Sequence, residues 1–167
     1  MSDIKIYVAD LAAYNNGKLH GVWIDATQDV DTIQDQINQM LASSPEISAE
    51  EWSIHGSEGF GEYRLGKSTS IETVHEIAEF IVEHEDVALA ALQYYSDVSE
   101  AKEMVEDHYH GCHYSEEEFA EQLYADCYEI PEHLQYYIDY EKIARDLFMD
   151  GYISIDGEGG QIHVFSN

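Results

Sequence analysis

Thirty-five Asp and Glu residues stand against seven Lys and Arg in this 167-residue chain, a formal net charge of −28. Self-repulsion of that size opposes any compact state, so a folded form needs an apolar core to offset it. The means are present: 44% of the residues are hydrophobic, including 13 Tyr, 5 Phe and 2 Trp. A disordered acidic tail is not built this way. Nor is the charge gathered at one end. Residues 1–60 carry −8, residues 61–103 carry −7 and residues 104–167 carry −13. The length fits one compact unit or two to three very small ones.

The charge also sorts partners. Phosphates and anionic membranes are repelled, whereas a basic protein surface or cations are favoured. No apolar run approaches the ~18–20 residues of a membrane span. Met1-Ser2-Asp3-Ile4 lacks the basic start and apolar stretch of a signal peptide. Cys112 and Cys127 are too few for a disulfide framework. The expectation is a reduced, cytoplasmic protein.

Periodicity gives an α+β chain. Ile4–Val8 reads as a strand of β-branched and aromatic residues, and Tyr14-Asn15-Asn16-Gly17 as a turn before a second, antiparallel strand, Leu19–Asp25. Val30, Ile33, Ile37, Met40 and Leu41 then recur at helical spacing, with Asp29, Asp31 and Asp35 off that stripe. A third strand over 51–55 precedes the Gly-rich loop Gly56–Gly61. Thr69 or Ser70 can cap a helix over 71–84, with Glu72 completing a capping box from Thr69. Its apolar face is Val74, Ile77, Ala78, Ile81 and Val82, while Glu72, Glu76, Glu79 and Glu83 share another face. A buried helix over 87–95 and a helix over 99–109, with Ala101, Met104 and Val105 inward, follow. Ser115-Glu116-Glu117-Glu118 is a strong capping box opening a helix with Phe119, Ala120, Leu123 and Cys127 on its inner face. Pro131-Glu132 starts a short helix, and Asp139 caps a last one, with Ile143, Leu147 and Phe148 inward and Gly151 as its end. Residues 152–156 and 161–165 flank a Gly-rich turn and read as a hairpin. This organisation predicts three small domains in series. They are an N-terminal antiparallel sheet with a helix (1–61), a central helical domain (62–103), and C-terminal helices with a β-hairpin (104–167).

Motifs for chemistry are scarce. His108, His110, Cys112 and His113 lie within six residues and are zinc-type ligands. Their spacing is not that of a paired site, so the plainer alternative is a polar surface turn between two helices. With 35 acids, no carboxylate pair is informative. Gly56–Gly61 lacks the Lys-Ser/Thr ending of a P-loop, and no Asp-x-Asp-x-Asp-Gly calcium loop occurs. No catalytic residue, metal or cofactor is assigned. The acidic excess remains. Solubility asks for a net charge of magnitude about 2–8 on a small domain, far below −28. Duplex DNA carries one charge per ~1.7 Å of axis, so the excess on two such chains matches at most roughly 95 Å of duplex.

The chain resembles the ArdA antirestriction family. The likeness begins at Ile6-Tyr7-Val8, Tyr14-Asn15-Asn16-Gly17 and Gly21-Val22-Trp23-Ile24-Asp25, and continues at Glu58-Gly59-Phe60. Its most specific part is Ile130-Pro131-Glu132, Tyr137-Ile138-Asp139-Tyr140-Glu141 and Ala144-Arg145-Asp146-Leu147-Phe148, which is similar to the family's antirestriction motif at about 130–148. His55-Gly56-Ser57 departs from the Asp-Tyr pair that relatives often carry before this Glu.

The resemblance implies a non-enzymatic DNA mimic, often encoded on mobile genetic elements. Such proteins are elongated homodimers that inhibit type I restriction–modification enzymes by occupying the DNA-binding groove of the specificity and methyltransferase core. On that implication, phosphates are represented by Asp29, Asp31, Asp35, Glu72, Glu76, Glu79, Glu83, Glu103, Glu106, Glu116, Glu117, Glu118 and Glu121. The motif residues Ile130, Pro131, Glu132, Tyr137, Asp139, Tyr140, Ala144, Asp146 and Leu147 would contribute to the dimer interface. Ordinary core packing of the last helix is the alternative for Tyr137, Tyr140, Ala144 and Leu147. Asp139 and Asp146 stay open between interface, cap and phosphate-like group. Two rival readings are a metal-binding or hydrolytic domain on the His/Cys cluster and an acidic adaptor for another basic protein.

Overall fold

The computed structural model describes residues 3–167; Met1 and Ser2, which enter the signal-peptide reading and the 1–61 domain, lie outside the described residues. The fold is α+β, and the chain divides into two compact units, Met1–Glu85 and Asp86–Asn167.

In the first unit, β1 (Lys5–Asp10) lies between β2 (Gly21–Asp25) and β3 (Trp52–Glu58), antiparallel to both. Strand alternation sends Ile6, Val8 and Ile24 to one face, where they are buried. The helix α2 (Val30–Ala42) buries Ile33, Ile37 and Met40. Asp29 caps it by accepting the Thr32 N–H (2.9 Å) and hydroxyl (2.8 Å). These bonds hold the Asp29 carboxyl below the usual carboxylate range. A five-residue helix, α1 (Leu11–Asn15), occupies part of the stretch read as a turn. It is too short to show a period, and it rests on Asp10. That fully buried carboxylate accepts the N–H groups of Ala12 and Ala13 and the Ser44 hydroxyl.

β3 extends three residues beyond the expected strand. Tyr7 pairs with Gly56 and Val8 with Ile54, so His55 is the extra residue of a bulge. Gly56 read as loop because glycine usually is. Here it lies in the strand beneath the Trp23 ring, which a Cβ at this position would touch at 3.4 Å, an ordinary contact distance. The Gly-rich connector therefore starts at Gly59, whose φ is +84°.

The helix α3 (Ile71–Tyr95) is interrupted at Glu85 (φ 50°, ψ −124°), between the two expected helices. Ser70 rather than Thr69 caps it, through the Thr73 N–H at 3.2 Å. Val74, Ile77, Ala78 and Ile81 are buried as expected, but Val82 is exposed.

The second unit starts with the rest of α3, on which Val87, Ala88, Ala91 and Leu92 are buried. Next comes α4 (Val98–Asp107), capped by Asp97 and burying Ala101, Met104 and Val105. The chain then forms β4 (Tyr109–His113), α5 (Glu116–Cys127), a 3-10 turn (Glu132–Tyr137), α6 (Tyr140–Asp150), β5 (Tyr152–Asp156) and β6 (Ile162–Ser166). β5 and β6 form the expected hairpin, and β4 joins it to give the order β4-β6-β5, all antiparallel. The His/Cys segment is thus a strand rather than a turn between helices. Its polar sequence conceals this because its ladder partner, β6, lies about 50 residues downstream. Phe119 centres an aromatic cluster with His113, Phe148 and Tyr152 at 5.1–5.8 Å between ring centroids. Cys127 is exposed, contrary to its expected inward position on α5.

A hydrogen-bonded chain ties this unit's hairpin to the start of its first helical segment. His163, 4% exposed, sits between Asp86 and Tyr109. The Asp86 carboxylate only accepts, so His163 Nε2–H donates to Oδ2 at 2.7 Å. With the Nε2 proton so placed, Nδ1 accepts from Tyr109 Oη at 2.7 Å. Burial holds the Tyr109 phenol at about 12, keeping it a donor. The same Oδ2 accepts the Glu158 N–H at 3.1 Å, which anchors the hairpin loop.

Candidate functional site

Helical spacing determines where most of the acids go. On α3 the buried positions Val74, Ile77, Ala78 and Ile81 leave Glu72, Glu76, Glu79 and Glu83 on the exposed side. Four carboxylates over about three turns amount to roughly one charge per 5 Å of helix axis, against one per 3.4 Å along a single DNA strand. One helix face is therefore sparser than one strand, and several faces are needed to approach a duplex. Asp31 and Asp35 on α2, Glu103 and Glu106 on α4, and Glu117 and Glu121 on α5 repeat the three- or four-residue spacing and are exposed. Seven Lys and Arg can neutralise at most seven acids in one-to-one pairs, which leaves the excess of 28. Lys5–Glu58 and Lys18–Glu46, both at 2.9 Å, use acids outside the candidate set.

Several candidates have local duties. Asp29 is an N-cap. Glu116 and Glu118 are only half-exposed: Glu116 accepts the Ser154 hydroxyl at 2.6 Å, and Glu118 accepts the Tyr114 N–H at 2.6 Å. His75 lies 3.2 Å from Glu79, and His84 lies 3.8 Å from Glu83. The acids in the first turn of α5 also oppose the positive end of its dipole.

The motif segment separates into core, cap and surface. Ala144 is buried, while Ile130, Tyr140 and Leu147 are half-buried. Asp139 caps α6 through the Lys142 N–H at 3.1 Å. Pro131, Glu132 and Asp146 are exposed. Tyr137 is 85% exposed, and its neighbour Tyr136 is 93% exposed. Leu134, Tyr128 and Met149 are exposed large apolar residues of the same unit. These four neighbours of the motif residues went unnoticed in the sequence. The signal was available as a tyrosine-rich stretch, 133–137, with no helical apolar period.

The His/Cys cluster is dispersed along its strand. His113 is buried and its Nε2–H donates to the His110 carbonyl at 3.1 Å. His110 meets Ser166 Oγ at 2.8 Å, and Cys112 donates to Gln161 Oε1 at 3.3 Å. Burial lowers the His110 pKa, with His108 and His113 adding to the effect. Among the described residues no three His, Cys, Asp or Glu side chains converge as a metal site. No helix of the described residues is long and apolar enough to cross a membrane.

No curated protein matches the chain in comparison. The family model described as "Antirestriction protein (ArdA)" matches residues 6–160, nearly the whole chain and the whole of the motif segment. The chain belongs to the ArdA family of antirestriction proteins.

Proposed function

We propose that this protein inhibits type I restriction–modification enzymes by occupying their DNA-binding groove as a DNA mimic, without catalysis of its own. The observation that carries the reading is the set of exposed carboxylates at three- and four-residue spacing on α2, α3, α4 and α5. Facing a groove lined with Lys and Arg, they replace phosphates and release the groove's counter-anions. Because many carboxylates share the contact, no single one is decisive. Glu116 and Glu118 contribute least, since their oxygens are already engaged.

We place the homodimer interface at the motif segment. Tyr136 and Tyr137 are exposed aromatic residues that such an interface would cover, and Ala144 is buried within the same unit. The three-domain, elongated arrangement and a cytoplasmic location belong to the same proposal.

Displacement of DNA from a purified type I methyltransferase core tests the mimicry. The expected result is release of bound duplex at low salt on addition of this protein, with Tyr137→Ser weakening both release and self-association. Unchanged DNA binding at protein excess would end the proposal.

A further inference from the structure

The sheet of the first unit has a second face, opposite the one that holds Ile6, Val8 and Ile24, and its composition is aromatic. Tyr7 lies at its centre, and a Cβ on the neighbouring Gly21 would fall 2.8 Å from the Tyr7 ring. Trp23, 45% exposed, lies beside it at 5.4 Å between centroids and over Gly56. Tyr14, 56% exposed, meets His55 edge-on at 4.8 Å. Gly21 thus leaves room for the Tyr7 ring to lie against the backbone rather than stand away from it. A cation already rests on this surface: Lys5 Nζ is 5.5 Å from the Trp23 centroid, and Glu58 holds it there at 2.9 Å. The arrangement is an exposed indole, a carboxylate beside it, and an ammonium placed between them.

We infer that this aromatic face is a docking surface for arginine side chains of the enzyme that the carboxylates engage. Charge complementarity selects the occupant. Asp25 and Glu58 flank the rings on the same face; Glu58 pairs with Lys5, Asp25 Oδ1 accepts the Thr27 N–H and hydroxyl, and the surrounding segment carries −8. A guanidinium stacks flat on an indole and has donors left for a carboxylate at the ring edge. Its planar, weakly hydrated form suits this site better than a second ammonium does. The inference rests on the mimicry reading and adds a contact of a different kind. Carboxylate contacts weaken steeply with salt, whereas the dispersion and desolvation parts of stacking on a neutral ring respond little to it. Part of the affinity therefore persists when ionic strength screens the rest.

The test measures binding of the protein to the methyltransferase core across salt concentrations, with wild type, Trp23→Leu and Trp23→Tyr. Leucine keeps an apolar side chain and removes the ring face; tyrosine restores a face. Trp23→Leu is expected to weaken binding about twofold to thirtyfold, the range for a cation over an exposed to a desolvated ring. The slope of log K against log salt should not change, and Trp23→Tyr should recover most of the loss. Circular dichroism melts identify the folded variants for comparison. Equal affinity of folded Trp23→Leu and wild type overturns the inference, as does a changed salt slope. If Trp23→Leu instead lowers self-association, the face binds a second copy and the inference is also overturned. Failure of the wild-type protein to bind the core at any salt defeats the mimicry reading instead.

Discussion

Replacing His163 with leucine tests whether the Asp86–His163–Tyr109 chain holds the second unit together. Leucine has similar volume, so packing is largely kept and both hydrogen bonds of the ring are lost. The bond from the Tyr109 hydroxyl contributes about 0.5–1.5 kcal/mol, while the one to the Asp86 carboxylate contributes roughly 1.5–3 kcal/mol. Asp86 has a third of its side chain exposed and regains water, which puts the second figure at its lower end. The sum is about 2–3 kcal/mol. For a chain of 167 residues, each kcal/mol moves Tm by roughly 2–4 °C, so the melt should fall by roughly 4–12 °C. Thermal circular dichroism measures it, and hydrogen exchange at the Glu158 amide locates the loosening. Tyr109→Phe removes only the bond from the hydroxyl and should cost about 1 kcal/mol. The double variant should lose less than the sum of the two, because the variants share one bond. A His163→Leu melt within about 1 °C of wild type, or full additivity in the cycle, would refute the reasoning.

Further outcomes follow from the same geometry. Gly21→Val brings a Cβ to 2.5 Å from the Val8 carbonyl, and overpacking should cost about 1–3 kcal/mol in a urea titration. Asp139→Ala removes the α6 cap and should cost about 1 kcal/mol, read from the shift in denaturation midpoint. Tyr109 binds its proton more tightly in the fold, at about 12, than the ordinary phenol near 10. Its stabilising effect is therefore complete below pH about 10 and is lost as pH rises toward about 12. Melts at alkaline pH should show this loss in the wild type and much less of it in Tyr109→Phe. The reverse holds for His110, whose pKa burial lowers. Its contribution is lost as pH falls below its ordinary value of about 6.5, and His110→Gln should flatten that side of the profile.

The sequence was most legible where elements are long and periodic. α2, α5 and α6 begin and end within a residue or two of their cap signals, because Asp29, Ser115 and Asp139 each accept the N–H three residues on. The terminal hairpin was readable from its Gly-rich turn. Partners distant in sequence were not. β4 looks like a polar turn until β6 lies beside it, and the glycine at 21 serves a ring on another strand. The acidic faces could be read from spacing alone. Which acids are engaged locally could not, since Ser154 reaches Glu116 across 38 residues. The motif segment was visible as a family likeness. Its division into a buried Ala144 and an exposed Tyr136–Tyr137 pair depends on packing that no local pattern encodes.

The central claim is that carboxylates substitute for phosphates, and titration of the methyltransferase core with this protein, without DNA, from low to high salt tests it most directly. The account predicts that log K falls linearly with log salt, with a slope as steep as the enzyme shows for duplex DNA. Glu→Gln changes at Glu72, Glu79, Glu117 and Glu121 should make the slope shallower step by step. Binding that is tight but flat across salt, or a slope unmoved by the four neutralisations, would contradict it.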